Sequence, residues 1–566
     1  MVKKLTVFIL GFSIFVSTGK AQDSDGLYIF YNGDILTMQG VSPQYSEALV
    51  VRNGIIERLG SYDSIREVFP EARLRNLNGA TLLPGFIDGH CHFAAFPGQA
   101  IGAQILPPPD AGASSIPKLI EILKDWSTPE NLELTGWIFG MGFDDSVLEE
   151  KRFPTRHDLD LVSLENPVMI IHISGHFASV NSKALEILGI DKNSEDPVGG
   201  IIRREEDGYT PNGVLEELAA IPLMSQVLAP KSEKAILAFL NSGQDMALSY
   251  GYTTAQEGRA MKSTHDFLSF AAENKLLKLD VVSYVDYSAT EELMKTKWNS
   301  SSYQNHYRIG GIKVTLDGSP QGRTAWKTIP YLIPPAGRDS TYRGYPALPE
   351  KYARLIYQKA LKNNWQVLCH ANGDAAIDQM IRCLETAEYE GSLKERRNVL
   401  IHGQYIRMDQ LDKLKELGII ASLFPLHTFY WGDWHRQLIG DSLVEFISPT
   451  QTAIDKGIDI TIHTDAPVAL PNLMRLVWTA VQRESRSGKI VGANQRLSVY
   501  QALQCVTIWS AYQHFEESQK GSLVPGKIAD LVVLSANPLK VPTNDIPKIQ
   551  VLETIKNGKT IYKRTP

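Results

Sequence analysis

Short apolar runs broken by turn dipeptides dominate both ends of the chain. Leu27–Thr37 and Ala48–Leu59 read as strands, the second interrupted by Asn53-Gly54, a pair suited to a tight hairpin. The far end repeats the style in Asp530–Leu534 and Val551–Lys563, broken at Asn557-Gly558. This match predicts one small β-sandwich domain composed of residues 22–80 and 520–566. Between the ends lie eight short apolar or β-branched runs: Leu82–Asp88, Gly251–Gln256, Leu279–Val285, Gly311–Leu316, Trp365–His370, Val399–Gln404, Ile419–Phe424 and Asp459–Asp465. Helix-compatible segments follow most of them, for instance Ala375–Glu390, Met408–Leu417 and Ser448–Lys456. Alternation of strand and helix implies βαβ units and a parallel sheet. Eight repeats favour an α/β fold of the closed (β/α)8 TIM type over residues 81–519.

The spacing is uneven in two places. Residues 93–250 separate the first two runs, far more than a crossover of a dozen or so residues requires. This predicts an insertion with its own structure on the face where barrel active sites lie. Asp317 to Pro346, rich in Gly and Pro, is a second long connection and a candidate lid.

The first residues follow another logic. Lys3 and Lys4 precede the apolar run Leu5–Val16, then come Gly19, Lys20 and Ala21. A positive start, a short apolar stretch and small residues before a cut after Ala21 read as a secretory signal over residues 1–21. The run is too short to span a bilayer core, which takes about 20 residues. The chain is expected to be exported, periplasmic or secreted, with no stable membrane anchor after processing. The first cysteine is Cys91, so an N-terminal lipid-modified cysteine is excluded.

Composition narrows the class. With 43% hydrophobic and 21% charged residues, the chain is an ordinary globular protein rather than a disordered one. A net charge of −6 gives no electrostatic case for nucleic acid. Four cysteines in 566 residues, without C-x-x-C, exclude a disulfide scaffold and a zinc ribbon. Cys91 and Cys369 sit beside histidines on expected strands, where burial as thiols is the favoured reading.

Candidate chemistry gathers at strand ends. The sharpest motif is Leu83-Pro84-Gly85-Phe86-Ile87-Asp88-Gly89-His90-Cys91-His92. Residues two apart on a strand share a side, so His90 and His92 are expected to grip one ion while Cys91 points away. His370 and Asp465 end the fifth and eighth runs, His402 lies near the end of the sixth, and Lys313 lies within the apolar fourth. In a barrel these positions converge on one mouth. Each alone also suits a satisfied core histidine, a capping aspartate or a paired lysine; together on five strands they are costly to bury without a common role. Trp326, Phe424, Phe429, Tyr430, Trp431 and Trp434 cluster after strands four and seven, as pocket lining or as packing under the insertion.

With these residues in place, the chain resembles the metal-dependent amidohydrolases of the urease-related superfamily, in the branch of N-substituted formamide deformylase. Further marks are Gly142-Phe143-Asp144-Asp145, Pro154 to Asp160, Ser174-Gly175-His176, Asn181 to Leu185, Asp317-Gly318-Ser319, His427 with Asp433-Trp434, and Gly521 to Leu531. The resemblance implies a first metal on His90, His92 and Asp465, and a second on His370 and His402. Lys313, carboxylated, then bridges the ions. It implies one or two divalent ions, zinc first among them, with Asp465 moving the proton. Pro320-Gln321-Gly322 departs from the branch's Leu-Gly-Ser between Gly318-Ser319 and Arg323-Thr324, which concerns the substrate loop. His176 and His427 are candidates for polarising the carbonyl or contacting substrate, against a plain structural hydrogen bond. Arg323 is a candidate for drawing in an anionic group, against an inert loop cation. The expected activity is hydrolysis of a C–N bond in a small non-peptide amide or N-substituted formamide. Ester, lactone or deaminase chemistry on the same site stands as an alternative, as does a silent exported binding protein. A homodimer is compatible with the sequence.

Overall fold

The chain changes sheets at Gly85. A computed structural model describes residues 26–197, 200–228, 232–335 and 337–565; the expected export segment, residues 1–21, lies outside them. Thr81–Pro84 pairs with Leu27–Leu36 and Leu531–Leu534, whereas Phe86–Ile87 pairs with Tyr252–Ala260. The run Leu82–Asp88, expected as one barrel strand, is therefore split between two sheets. Glycine is required at the junction, because a Cβ there would lie 2.2 Å from Thr253 Cγ2. The Gly85 N–H donates to Asp530 O and the Phe86 N–H to Gly251 O, one hydrogen bond into each sheet.

Strands from both termini thus share one eight-stranded sheet, and Ile55 bridges directly to Ile528. Phe30, Leu49, Leu82, Leu531 and Ile555 form one apolar face. The other face takes Ile65 and Phe69, from the helix Tyr62–Val68 and its C-terminal cap, against Ile29 and Val50.

The barrel strands are Phe86–Ile87, Tyr252–Ala260, Asp280–Asp286, Tyr307–Thr315, Gln366–Ala371, Val399–His402, Ile420–Leu423 and Ile460–Ile462, paired in that order and all parallel. Val399–His402 and Ile420–Leu423 are buried throughout, as a parallel sheet covered on both faces demands. The first and eighth strands meet beyond their ends, where Asp465 N–H donates to His90 O at 3.0 Å. The helix Met408–Leu417 forms over the expected residues: Leu411 and Leu414 face inward, and Gly418 ends it in the left-handed conformation. The segments expected at Ala375–Glu390 and Ser448–Lys456 hold the shorter helices Asp374–Thr386 and Thr450–Asp455.

The insertion carries a six-stranded sheet of its own. In its strand Val168–His172, Met169 and Ile171 enter one apolar cluster while Val168 and Ile170 enter another. Both faces are covered, so the strand reads as one apolar run. All four cysteines are buried free thiols.

A buried ionic cluster ties the C-terminal segment to the foot of the barrel. Asp280 accepts from Lys520 Nζ at 2.5 Å, Lys556 Nζ at 2.6 Å and His306 Nδ1 at 2.6 Å; Lys556 also reaches Asp530. Burial opposes the charge on Asp280, but the two ammoniums hold its carboxyl well below the usual range. A depressed carboxylate stabilises the fold above the unfolded pKa of about 4, and that contribution drains away as pH falls below it. Asp280→Asn should therefore cost about 3–5 kcal/mol at neutral pH by leaving buried ammoniums short of a counter-charge. Thermal melts should show a lower Tm for the variant at pH 7, with the gap to wild type narrowing below pH 4. An equal gap at every pH would remove Asp280 from this role.

Candidate metal centre

The centre forms where the first strand stops being a strand. His90 and His92 were expected at alternate strand positions, but the strand ends at Ile87 and both histidines lie in the loop beyond. Convergence comes from that loop's anchors instead. Asp88 accepts from His90 N–H, and His92 forms a bridge with Glu257 in the second barrel strand. The rings still meet edge to face, with centroids 5.0 Å apart. Cys91 turns away, its thiol donating to Gln256 O.

Proton positions follow from the partners. Gln256 Nε2 donates to Gly89 O, so its Oε1 accepts from His90 Nδ1–H at 2.5 Å. His90 Nε2 is left bare, aimed at the centre. Lys313 Nζ lies 2.9 Å from it. Asp465 Oδ1 stands 3.5 Å from His90 Nε2 and 3.4 Å from His92 Nε2; it is buried and has no hydrogen-bond donor among the described residues. An orphaned carboxylate oxygen facing imidazole nitrogens fits a divalent cation, and the ligand atoms of His90, His92 and Asp465 all lie within 4.8 Å of one another. On the other side His402 Nε2 faces His370 Nδ1 at 3.0 Å, and the ring centroids of His90 and His402 are 5.6 Å apart. The six expected ligands therefore occupy one mouth.

The local backbone is strained where it matters. His402 (φ 77°) and Asp465 (φ 53°) hold left-handed conformations that side-chain-bearing residues seldom adopt. Gly258 packs directly on the cluster, since a Cβ there would lie 2.2 Å from His90 Cε1.

Burial sets the electrostatics. It drives His90, His370 and His402 well below the ordinary histidine range, so these imidazoles are neutral and able to ligate. Burial also pushes the Lys313 ammonium down to about 7. For His92 burial opposes the charge, but Asp465 and Glu257 outweigh it and raise the ring to about 8. Asp317 is buried beside His370. Its carboxylate, raised to about 7 by burial, accepts the N–H groups of Asn372, Gly373 and Trp326 and fixes the loops after strands four and five.

The other candidates separate. His176 comes from the insertion, its Nδ1 2.9 Å from Glu217 Oε2, within electrostatic reach of His370 and Asp465. His427 is buried against Phe424 and Trp431, its Nδ1 2.8 Å from His435 Nε2. Arg323 stacks over Trp434 on the wall of a cavity of about 1030 Å3 between insertion and barrel. Of the aromatic cluster, Trp431 and Trp434 line this cavity, whereas Phe424, Phe429 and Tyr430 belong to the core. Glu257, Gln256 and His435 escaped the sequence reading; for the first two, a polar pair in the second barrel strand was the available signal.

Gly258→Ala should displace the His90 ring and lower metal affinity at least about tenfold, the scale of losing an orienting contact. Elemental analysis after dialysis measures this; unchanged metal content would show that the ring has room to yield.

The profile of the amidohydrolase family matches residues 73–562. N-substituted formamide deformylase of Arthrobacter pascens is 26% identical over 535 residues, covering 92% of this chain and 95% of the relative. Protein LONG AFTER FAR-RED 3 of Arabidopsis thaliana is 28% identical over 548 residues, covering 94% and 91%. Among solved structures, an uncharacterized metal-dependent hydrolase from Pyrococcus horikoshii aligns with a TM-score of 0.72 at 23% identity, over 92% of this chain and 99% of that one, and shares the barrel fold. On the reach of the family match, with the ligand set gathered at one mouth, the chain belongs to the amidohydrolase family.

Proposed function

We propose that the protein is an exported zinc-dependent hydrolase that cleaves the C–N bond of a small non-peptide amide or N-substituted formamide. The observation that carries this is the partnerless Asp465 Oδ1 facing His90 Nε2 and His92 Nε2. The name of the Arthrobacter relative supports the formamide class. The charged start and apolar run of residues 1–21 support export. His90, His92 and Asp465 would hold one ion, His370 and His402 a second, and Lys313, carboxylated, would supply the bridging anion. Bound divalent ions lower the pKa of water from about 15.7 towards 7 and polarise a carbonyl.

The chain's own residues do the rest. Asp465 is placed to take the proton of the attacking water and return it to the leaving nitrogen. A buried line sets the tautomer of His427. The Tyr405 hydroxyl has no acceptor other than His435 Nδ1, 2.7 Å away, among the described residues, so it donates there. His435 Nε2–H then donates to His427 Nδ1, leaving His427 Nε2–H as a donor. Burial keeps both rings neutral, with His435 pushed down to about 3. A neutral donor of this kind stabilises charge developing on a carbonyl oxygen. His176, held by Glu217, orients substrate from the insertion.

His370→Ala should lower metal content by elemental analysis and abolish turnover of N-formyl and N-acyl amines; full activity with unchanged metal sinks the assignment. Lys313→Ala should lose activity, with partial rescue by a short carboxylic acid that fills the bridge. A Lys313→Met variant retaining full activity makes the lysine purely structural.

A further inference from the structure

The charges on the wall of the large cavity do not balance. Each acid there is already engaged. Asp144 accepts from Ser146 and from Trp431 Nε1, Asp145 faces His172 Nε2 at 3.1 Å, Arg203 Nε donates to Glu216, and Glu217 holds His176. Lys151 and Arg338 on the same wall are exposed, whereas Arg323 is half-buried. Its Nη1 donates to the carbonyl oxygens of Ile333 and Pro334, its Nε is buried without an acceptor, and no carboxylate lies within ion-pair distance among the described residues. Burial pulls its pKa below the ordinary arginine value. Asp145 acts on Arg323 only from beyond contact distance; a half-buried guanidinium with no anion in contact is costly, and a ligand anion relieves that cost.

The surroundings favour an aromatic ligand. Arg323 sits over the Trp434 ring at 5.4 Å, and Trp434 is held by its indole N–H donating to Gln321 O. Phe153 and Phe177 face the same cavity. The loop that presents Arg323 is fixed in a left-handed turn, with Arg323 N–H donating to Pro320 O. It starts at Gly318, whose carbonyl oxygen is 3.1 Å from His370 Nε2. Pro320 and Gln321, two of the three residues that depart from the branch's loop motif, thus build the Arg323–Trp434 pair. One loop joins this pair to the metal ligands.

We propose that the cavity takes an aromatic substrate bearing an anionic group, a carboxylate or a sulfonate, held by Arg323 while the ring lies against Trp434 and the scissile bond reaches the metal centre. This rests on the hydrolase reading for the scissile bond; the anion site itself does not. The test uses the metal-loaded full chain and tryptophan fluorescence, with 3-phenylpropane-1-sulfonate and its neutral counterpart 3-phenylpropan-1-ol as probes. A sulfonate is a poor zinc ligand, so binding at the metal is disfavoured. Wild type should bind the sulfonate at least about tenfold more tightly than the alcohol, on the scale of a charge-assisted contact. Arg323→Met should erase that preference, and Arg323→Lys should keep part of it. Equal affinity for the two probes in wild type, or a preference that survives in folded Arg323→Met, overturns the proposal. Sulfonate binding that depends on Arg323, without hydrolysis of any C–N substrate, upholds the anion site and removes the hydrolase reading.

Discussion

One buried carboxylate determines where the two ends of the barrel meet. Asp88 accepts from the Tyr252 and Thr464 hydroxyls and from the His90 and Thr464 N–H groups. Burial alone pushes its carboxyl up to about 6, against the pull of these donors. Through it the loop after strand one is fastened to the loop after strand eight, and His92 N–H then donates to Ala466 O alongside. His90 and His92 ride on the first loop and Asp465 on the second. Without this seam, residues far apart in sequence would have no reason to share an ion.

The seam also accounts for the price of the site. His402 and Asp465 keep left-handed backbones, and five imidazoles, with buried His463 packed on His90 and His402, crowd one space with an amine. Such an arrangement persists only where the surroundings over-determine it. The surroundings do so by packing: Gly258 lies against His90, Gln256 fixes its tautomer, and Asp317 pins the loop beside His370. Burial then keeps His90, His370 and His402 neutral, the form that ligates.

Much of this was legible from the residues. Trp365–His370 and Val399–His402 announce themselves because an apolar lead-in ends on a histidine, and the register of a parallel barrel does the rest. The matching hairpins of the termini pointed to a sandwich, whereas the strands of both ends join one eight-stranded sheet. The split at Gly85 was not legible, because Leu82 to Ile87 is equally apolar on both sides and only the contact with Thr253 divides it. Likewise H-x-H suggested strand alternation, whereas a loop and a bridge to Glu257 bring the rings together. The isolation of Arg323 depends on where every acid around it has found a partner, which no local pattern encodes.

The sheet that joins the two termini has a consequence for how the chain comes to be folded. Thr81–Pro84 is made early, yet its neighbour Leu531–Leu534 follows only after the whole barrel between them. Lys520 and Lys556, which neutralise Asp280 at the barrel's foot, arrive equally late. Until then the nascent protein carries an open strand edge and an uncovered apolar face, the features that invite aggregation. Contacts this distant in sequence also slow folding. The order of synthesis therefore leaves that edge without its partner strand for most of the time the barrel is being made.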